Sequence, residues 1–144
     1  MTVETAKTDR EMILDHIHGL FKAFLSKDRE TIRRGHTADW RGFQIRSRHL
    51  VRGIDEYMKV ADQVMNSFPG TRYELIETDI EVHGDVAIVF YLAREWLPAD
   101  DGPEKTILIR SVDIYRREPA GWNQCGSNIC VVPDEDPAAT DSPA

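Results

Sequence analysis

The sequence predicts an α+β fold, with helices early and an antiparallel strand meander at the end. Two observations carry that prediction. Apolar residues recur at helical spacing from Ile13 to Leu25 and again from Ile54 to Phe68. From Tyr73 to Val132 the spacing changes to strand-like alternation, broken by turn-forming clusters at Gly84-Asp85, Pro98–Pro103 and Glu118–Gly121.

The first helix is expected from Thr8, because Thr8-Asp9-Arg10-Glu11 has capping-box form. Its stripe of Ile13, Ile17, Leu20, Phe21, Phe24 and Leu25 is wide, so one face is deeply covered. Asp28 can cap a short second helix, Arg29 to Arg34, which Gly35 ends. A strand is expected over Trp40–Arg46. Gly53 opens the third helix, with Ile54, Tyr57, Met58, Ala61, Val64, Met65 and Phe68 on one face, and Pro69-Gly70 stops it. Four strands follow: Tyr73–His83, Val86–Trp96, Lys105–Arg117 and Trp122–Val132. The expected order is α, α, β, α, β, β, β, β.

A chain of 144 residues is one domain's worth and can bury a core without staples. The expected division is an extension over 1–8, a domain over 9–132 and a tail over 133–144. The tail is acidic, rich in Pro and Ala, and too poor in apolar residues to offset the entropy of ordering it, so disorder is expected. The net charge of −7 opposes a nucleic-acid surface, which needs a basic stripe. The first residues, MTVETAKTDREM, have no apolar leader region, and no run approaches a membrane span of roughly 20 apolar residues. A cytoplasmic location is therefore expected. Cys125 and Cys130 are expected as buried, reduced thiols.

Asp113 is the residue with most chemical promise. A carboxylate in mid-strand, beside Val112, Ile114 and Tyr115, faces either water or a pocket. In a pocket it is a proton donor or acceptor with a raised pKa. The other reading is a salt bridge to Arg94, Arg110 or Arg116. Gln44 shares a strand face with Trp40 and Gly42, and Asn128 shares one with Trp122 and Gln124. Gln44 and Asn128 are expected as polar anchors in the pocket, with Trp40, Tyr57, Phe90 and Trp122 as aromatic walls. His36, just past the second helix, caps its carbonyl end or reaches the pocket mouth as a base. Asp39 is read as a turn or capping residue. His16 and His18 sit two apart on a helix and cannot form a metal pair. No metal-ligand spacing and no cofactor motif is present, so neither a metal nor a cofactor is expected.

The strand Val86–Trp96 is apolar on both faces. Val86, Ile88, Phe90 and Leu92 alternate with Ala87, Val89, Tyr91 and Ala93. The helices can cover only one face, so a homodimer through the outer face is expected, with Ala87, Val89 and Tyr91 in the interface.

These pieces together resemble the NTF2-like superfamily, which includes SnoaL-like cyclases, ketosteroid isomerases and scytalone dehydratases. The resemblance spans Asp9 to Val132. It rests on Ser26-Lys27-Asp28, Thr37-Ala38-Asp39-Trp40, Gly53-Ile54-Asp55-Glu56-Tyr57, Val112-Asp113-Ile114-Tyr115-Arg116 and Gly121-Trp122. It implies a cone-shaped α+β fold with a ligand pocket between sheet and helices. Laid against the isomerases, Asp113 falls on their oxyanion-hole aspartic acid. Gln44 stands where their general base stands, and Leu20 where their tyrosine stands. An amide cannot take a proton at neutral pH, so the isomerase shuttle is not expected. Many SnoaL-like proteins carry W-x-x-x-x-x-H-x-S in the last strand; here Asn128 and Cys130 stand at the histidine and serine positions.

Three functions follow as expectations. Binding of a small, largely apolar molecule without assured catalysis ranks first. An isomerase, dehydratase or cyclase using Asp113 and His36 is second. A dimeric association module is third.

Overall fold

A computed structural model describes residues 6–133 of the chain. The expected tail beyond Pro133 and the first five residues of the extension lie outside the described residues. Three helices and six strands are present: α1 (Asp9–Ser26), α2 (Arg29–Arg34), β1 (His36–Phe43), β2 (Val51–Arg52), α3 (Ile54–Ser67), β3 (Arg72–His83), β4 (Val86–Leu97), β5 (Lys105–Glu118) and β6 (Gly121–Pro133). Two helices precede the first strand, and α3 follows β2.

The helix signals act as the sequence dictates. Thr8 Oγ1 accepts the Glu11 backbone N–H at 3.2 Å, and the Glu11 carboxylate accepts that of Thr8 at 3.3 Å. Asp28 caps α2 through the Thr31 N–H at 3.2 Å and the Thr31 hydroxyl at 2.6 Å.

The strands form one open mixed sheet in the order β2-β1-β6-β5-β4-β3. All neighbours are antiparallel except β1 and β6, which run parallel. That long-range pairing extends β1 back to His36, four residues before the alternation becomes visible at Trp40. The core lies between the sheet and the helices. Ile13 and Ile17 of α1 pack on Ala87, Val89, Tyr115 and Trp122. Tyr57, Met58, Ala61 and Met65 of α3 pack on Trp40 and Val51.

The structure differs from two expectations about side-chain direction. The first concerns β4. Ala87, Val89 and Ala93 are wholly buried toward the helices, and Tyr91 points the same way. The solvent face instead carries Val86, Ile88, Phe90 and Leu92, with Phe90 49% exposed. Both sets are apolar, so alternation alone could not orient the strand. Small residues fall on the side where α1 comes close.

The second concerns β6. Tyr115 pairs with Gln124 but Ile114 pairs with Gly126, so Cys125 is an extra residue, a β-bulge. One extra residue reverses the parity of everything after it. Trp122 and Gln124 face the helices, and so do Ser127 and Ile129. Asn128 and Cys130 are thrown to the outer face and are exposed. Cys125 is half-buried, so neither thiol is buried as expected.

Candidate functional site

The inner face of the sheet and the helices α1 and α3 enclose a cavity of about 90 Å³. Its walls are mostly aliphatic and aromatic, with Leu20, Phe24, Met65, Phe68 and Ile109 among them. One end is polar. There Asp113 is 3% exposed and accepts three hydrogen bonds. The Ser111 hydroxyl donates to Oδ1 at 2.5 Å, the Ser127 hydroxyl to Oδ1 at 2.8 Å, and the Gln124 amide to Oδ2 at 3.2 Å.

The strands explain this cluster. Ser111 and Asp113 are two apart on β5, hence on one face. Ser127 is paired directly with Asp113 on β6, and the bulge at Cys125 brings both Gln124 and Ser127 inward. The orientation of Gln124 is fixed from behind. The Trp40 indole N–H can only donate, and it meets the Gln124 amide oxygen at 3.0 Å. The NH₂ group must therefore face Asp113. Trp40 thus holds the site together from the core rather than lining it.

Burial pushes Asp113 up from 3.8 to about 6, and the Ser111 and Ser127 hydroxyls hold it back from rising further. The alternative reading, an ion pair from Asp113 to Arg94, Arg110 or Arg116, is not what the structure shows. Arg116 pairs with Asp39 at 2.7 Å and Arg94 with Glu74 at 3.7 Å. Arg110 lies on the outer face with Val112 and Asn128. Asp39, expected as a capping residue, is instead held down to about 2, chiefly by the Arg116 guanidinium.

Gln44 and Tyr57 line the cavity together: the Gln44 amide donates to the Tyr57 hydroxyl at 3.0 Å. That leaves the Tyr57 proton free to donate into the cavity. His36 also lines the cavity, and its ring lies 4.1 Å from that of Tyr57. Its Nδ1 donates to the Ile32 carbonyl at 2.5 Å, which leaves Nε2 as an acceptor. Burial lowers His36 from 6.5 to about 3, so it is neutral and a weak base.

Four expected site residues lie elsewhere. Asn128 and Phe90 are on the outer face, for the reasons of parity given above. Trp40 is in the core. Trp122 is buried beneath α1, its indole N–H on Asp9 at 3.1 Å and the Arg117 guanidinium 4.4 Å above its ring. Sequence reasoning missed Ser111, Ser127 and Glu95. Ser111 was legible, standing two before Asp113. Ser127 was hidden by the bulge, and Glu95 by the reversed reading of β4.

Comparison with known proteins agrees with this architecture. Residues 13–125 match the SnoaL-like domain. The chain belongs to the SnoaL-like family. It is similar in fold to several solved structures. An NTF2-like protein with a cystatin-like fold from Novosphingobium aromaticivorans aligns with a TM-score of 0.73 at 20% identity, over 91% of this chain and 86% of that one. A ketosteroid isomerase-like protein from Erwinia carotovora atroseptica aligns with a TM-score of 0.69 at 18% identity, over 84% and 94%. The CaMKII hub of S. rosetta aligns with a TM-score of 0.73 at 21% identity, over 90% and 100%. No curated protein matches the sequence at a significant level. At these identities the structures speak for the fold alone. No helix among the described residues is long and apolar enough to cross a membrane.

Proposed function

We propose that this SnoaL-like protein binds a small, largely apolar molecule in the cavity between sheet and helices. A hydrogen-bond donor of that molecule meets Asp113. The observation that carries the reading is the buried Asp113 nest: a carboxyl in an apolar cavity, oriented by Ser111, Ser127 and Gln124, with lone pairs left over. At neutral pH it is mainly ionised and accepts hydrogen bonds, unlike a protonated oxyanion-hole acid. The probe 1-hexanol tests this. Methyl NMR signals of Ile17, Met65 and Ile109 should shift saturably on its addition, and those of Val86 and Ile114 should not. Equal, unsaturable shifts on both faces would count against a cavity ligand.

Catalysis of the isomerase, dehydratase or cyclase kind is the second reading. It is favoured by two cavity carboxyls shifted toward neutrality, Asp113 at about 6 and Glu95 at about 7. With His36 neutral and Gln44 unable to ionise, these two would carry any proton. A rate profile on a turned-over substrate should then bend near those values.

The outer sheet face supports self-association of two copies. Val86, Phe90, Val112 and Ile114 are 38–49% exposed on neighbouring strands and form one apolar patch. The likeness to an association hub fits the same reading. Wild type is expected to sediment as a dimer and Phe90→Glu as a monomer. A wild type that stays monomeric at every concentration would refute the interface. Tyr91→Glu would not test it, because Tyr91 lines the cavity.

A further inference from the structure

Glu95 is the second carboxyl of the cavity, and it sits far from the first. It pairs with Ile107, six residues along β5 from Asp113, roughly 20 Å of strand. Gly70, just beyond α3, makes room for it: a Cβ there would lie 1.8 Å from Glu95 Oε1. The lining contains both carboxyls and, among the described residues, no lysine or arginine. His36 on the same wall is uncharged, its Nδ1 proton committed to Ile32. Arg46 stacks over the Phe68 ring at 5.3 Å. It is not among the residues that line the cavity. A half-buried carboxylate with no compensating cation in the wall is costly. The wall therefore lacks one component, a positive charge, and its apolar surface asks for a hydrocarbon stem.

We propose that the cavity takes an organic amine, its apolar stem among Phe24, Met65 and Ile109 and its ammonium group against Glu95. This rests on the cavity-binding reading and narrows it to a ligand class. An ammonium arriving at Glu95 makes a charge-assisted hydrogen bond in a partly desolvated site, where such bonds are strong. A carboxylate ligand meets like charge at both ends and is rejected. A neutral alcohol gains the apolar contacts but leaves Glu95 uncompensated.

Three probes of equal length separate these cases: hexylamine, 1-hexanol and hexanoate, titrated calorimetrically into the intact protein at pH 8. Hexylamine should bind roughly tenfold or more tighter than 1-hexanol, and hexanoate should bind most weakly. Burial raises Glu95 to about 7, so the amine preference should shrink when the pH is lowered to 6. The other titratable or charged groups facing it are Tyr91 on the same strand, Tyr73 on β3, paired with Glu95 and with His18 on its hydroxyl, Arg46 over the Phe68 ring, and His36, Tyr57, Tyr115 and Asp113 along the cavity lining. Glu95→Gln should collapse the amine-to-alcohol ratio toward one, while Asp113→Asn should leave a clear amine preference. If 1-hexanol binds and hexylamine binds no tighter, the amine assignment is wrong and the cavity reading stands. If none of the three binds, both are wrong.

Discussion

Gly42→Ala is expected to destabilise the fold by about 3 kcal/mol and lower the melting temperature by roughly 10 °C. A Cβ at position 42 would lie 2.2 Å from the Ser127 carbonyl oxygen, 2.8 Å from the Ser127 nitrogen and 2.9 Å from the Trp40 ring. Two of those atoms are backbone, so rotamer changes cannot relieve the overlap. The parallel β1–β6 pair must open instead, and Gly42 is itself paired with Ser127. Because Ser127 donates to Asp113, the site should loosen with the sheet. Thermal unfolding of the variant checks this; a melting temperature within a few degrees of wild type would show that β1 and β6 are not packed this closely.

The second large effect is on the pH dependence of stability. Asp113 keeps its proton to about pH 6 in the fold but only to about 3.8 in the unfolded chain. Between those values the folded protein binds more protons, so this group's contribution falls as pH rises, and the fall is complete above the folded value. Asp113→Asn cannot titrate. The stability of wild type relative to the variant should therefore drop by about 2 kcal/mol from pH 4 to pH 7, an order-of-magnitude figure for a buried group. Urea unfolding of both proteins across that range checks it. Groups that titrate in the opposite sense, such as His36 with its lowered value, cancel in the comparison. A wild type that gains on the variant as pH rises would mean that Asp113 is stabilised as an ion.

Local signals were legible where local chemistry decides the structure. The Thr8 capping box, the Asp28 cap and the Gly53 and Gly70 boundaries are short-range events, and the structure shows the helices they mark. Asp113 was singled out because a mid-strand carboxylate breaks a pattern, and its burial follows from the strands beside it. The failures share one cause. A strand's alternation gives two faces but not which is inside, and a single bulge inverts the remainder. Thus in β4 Tyr91 takes the inward place expected of Phe90, and in β6 Ser127 takes that expected of Asn128. Nothing between Trp122 and Cys130 announces the bulge except the small residue Gly126. Its Cβ would fall 2.7 Å from the Arg41 carbonyl oxygen, a contact that exists only once β1 has docked. The parallel β1–β6 pairing is equally invisible in the sequence, since its partners, such as Gly42 and Ser127, lie far apart along the chain.

The placement of Asp113 inside the cavity, unpaired with any cation, is the claim on which the binding site stands. Carboxyl carbon NMR titration tests it directly, with Asp113→Asn and Glu95→Gln assigning the signals. Two carboxyls are expected to titrate well above the ordinary range. One has a midpoint near 6 that vanishes in Asp113→Asn, and one a midpoint near 7 that vanishes in Glu95→Gln. An Asp113 midpoint at or below its ordinary value of about 3.9 would contradict it, placing that carboxyl in water or beside a positive charge.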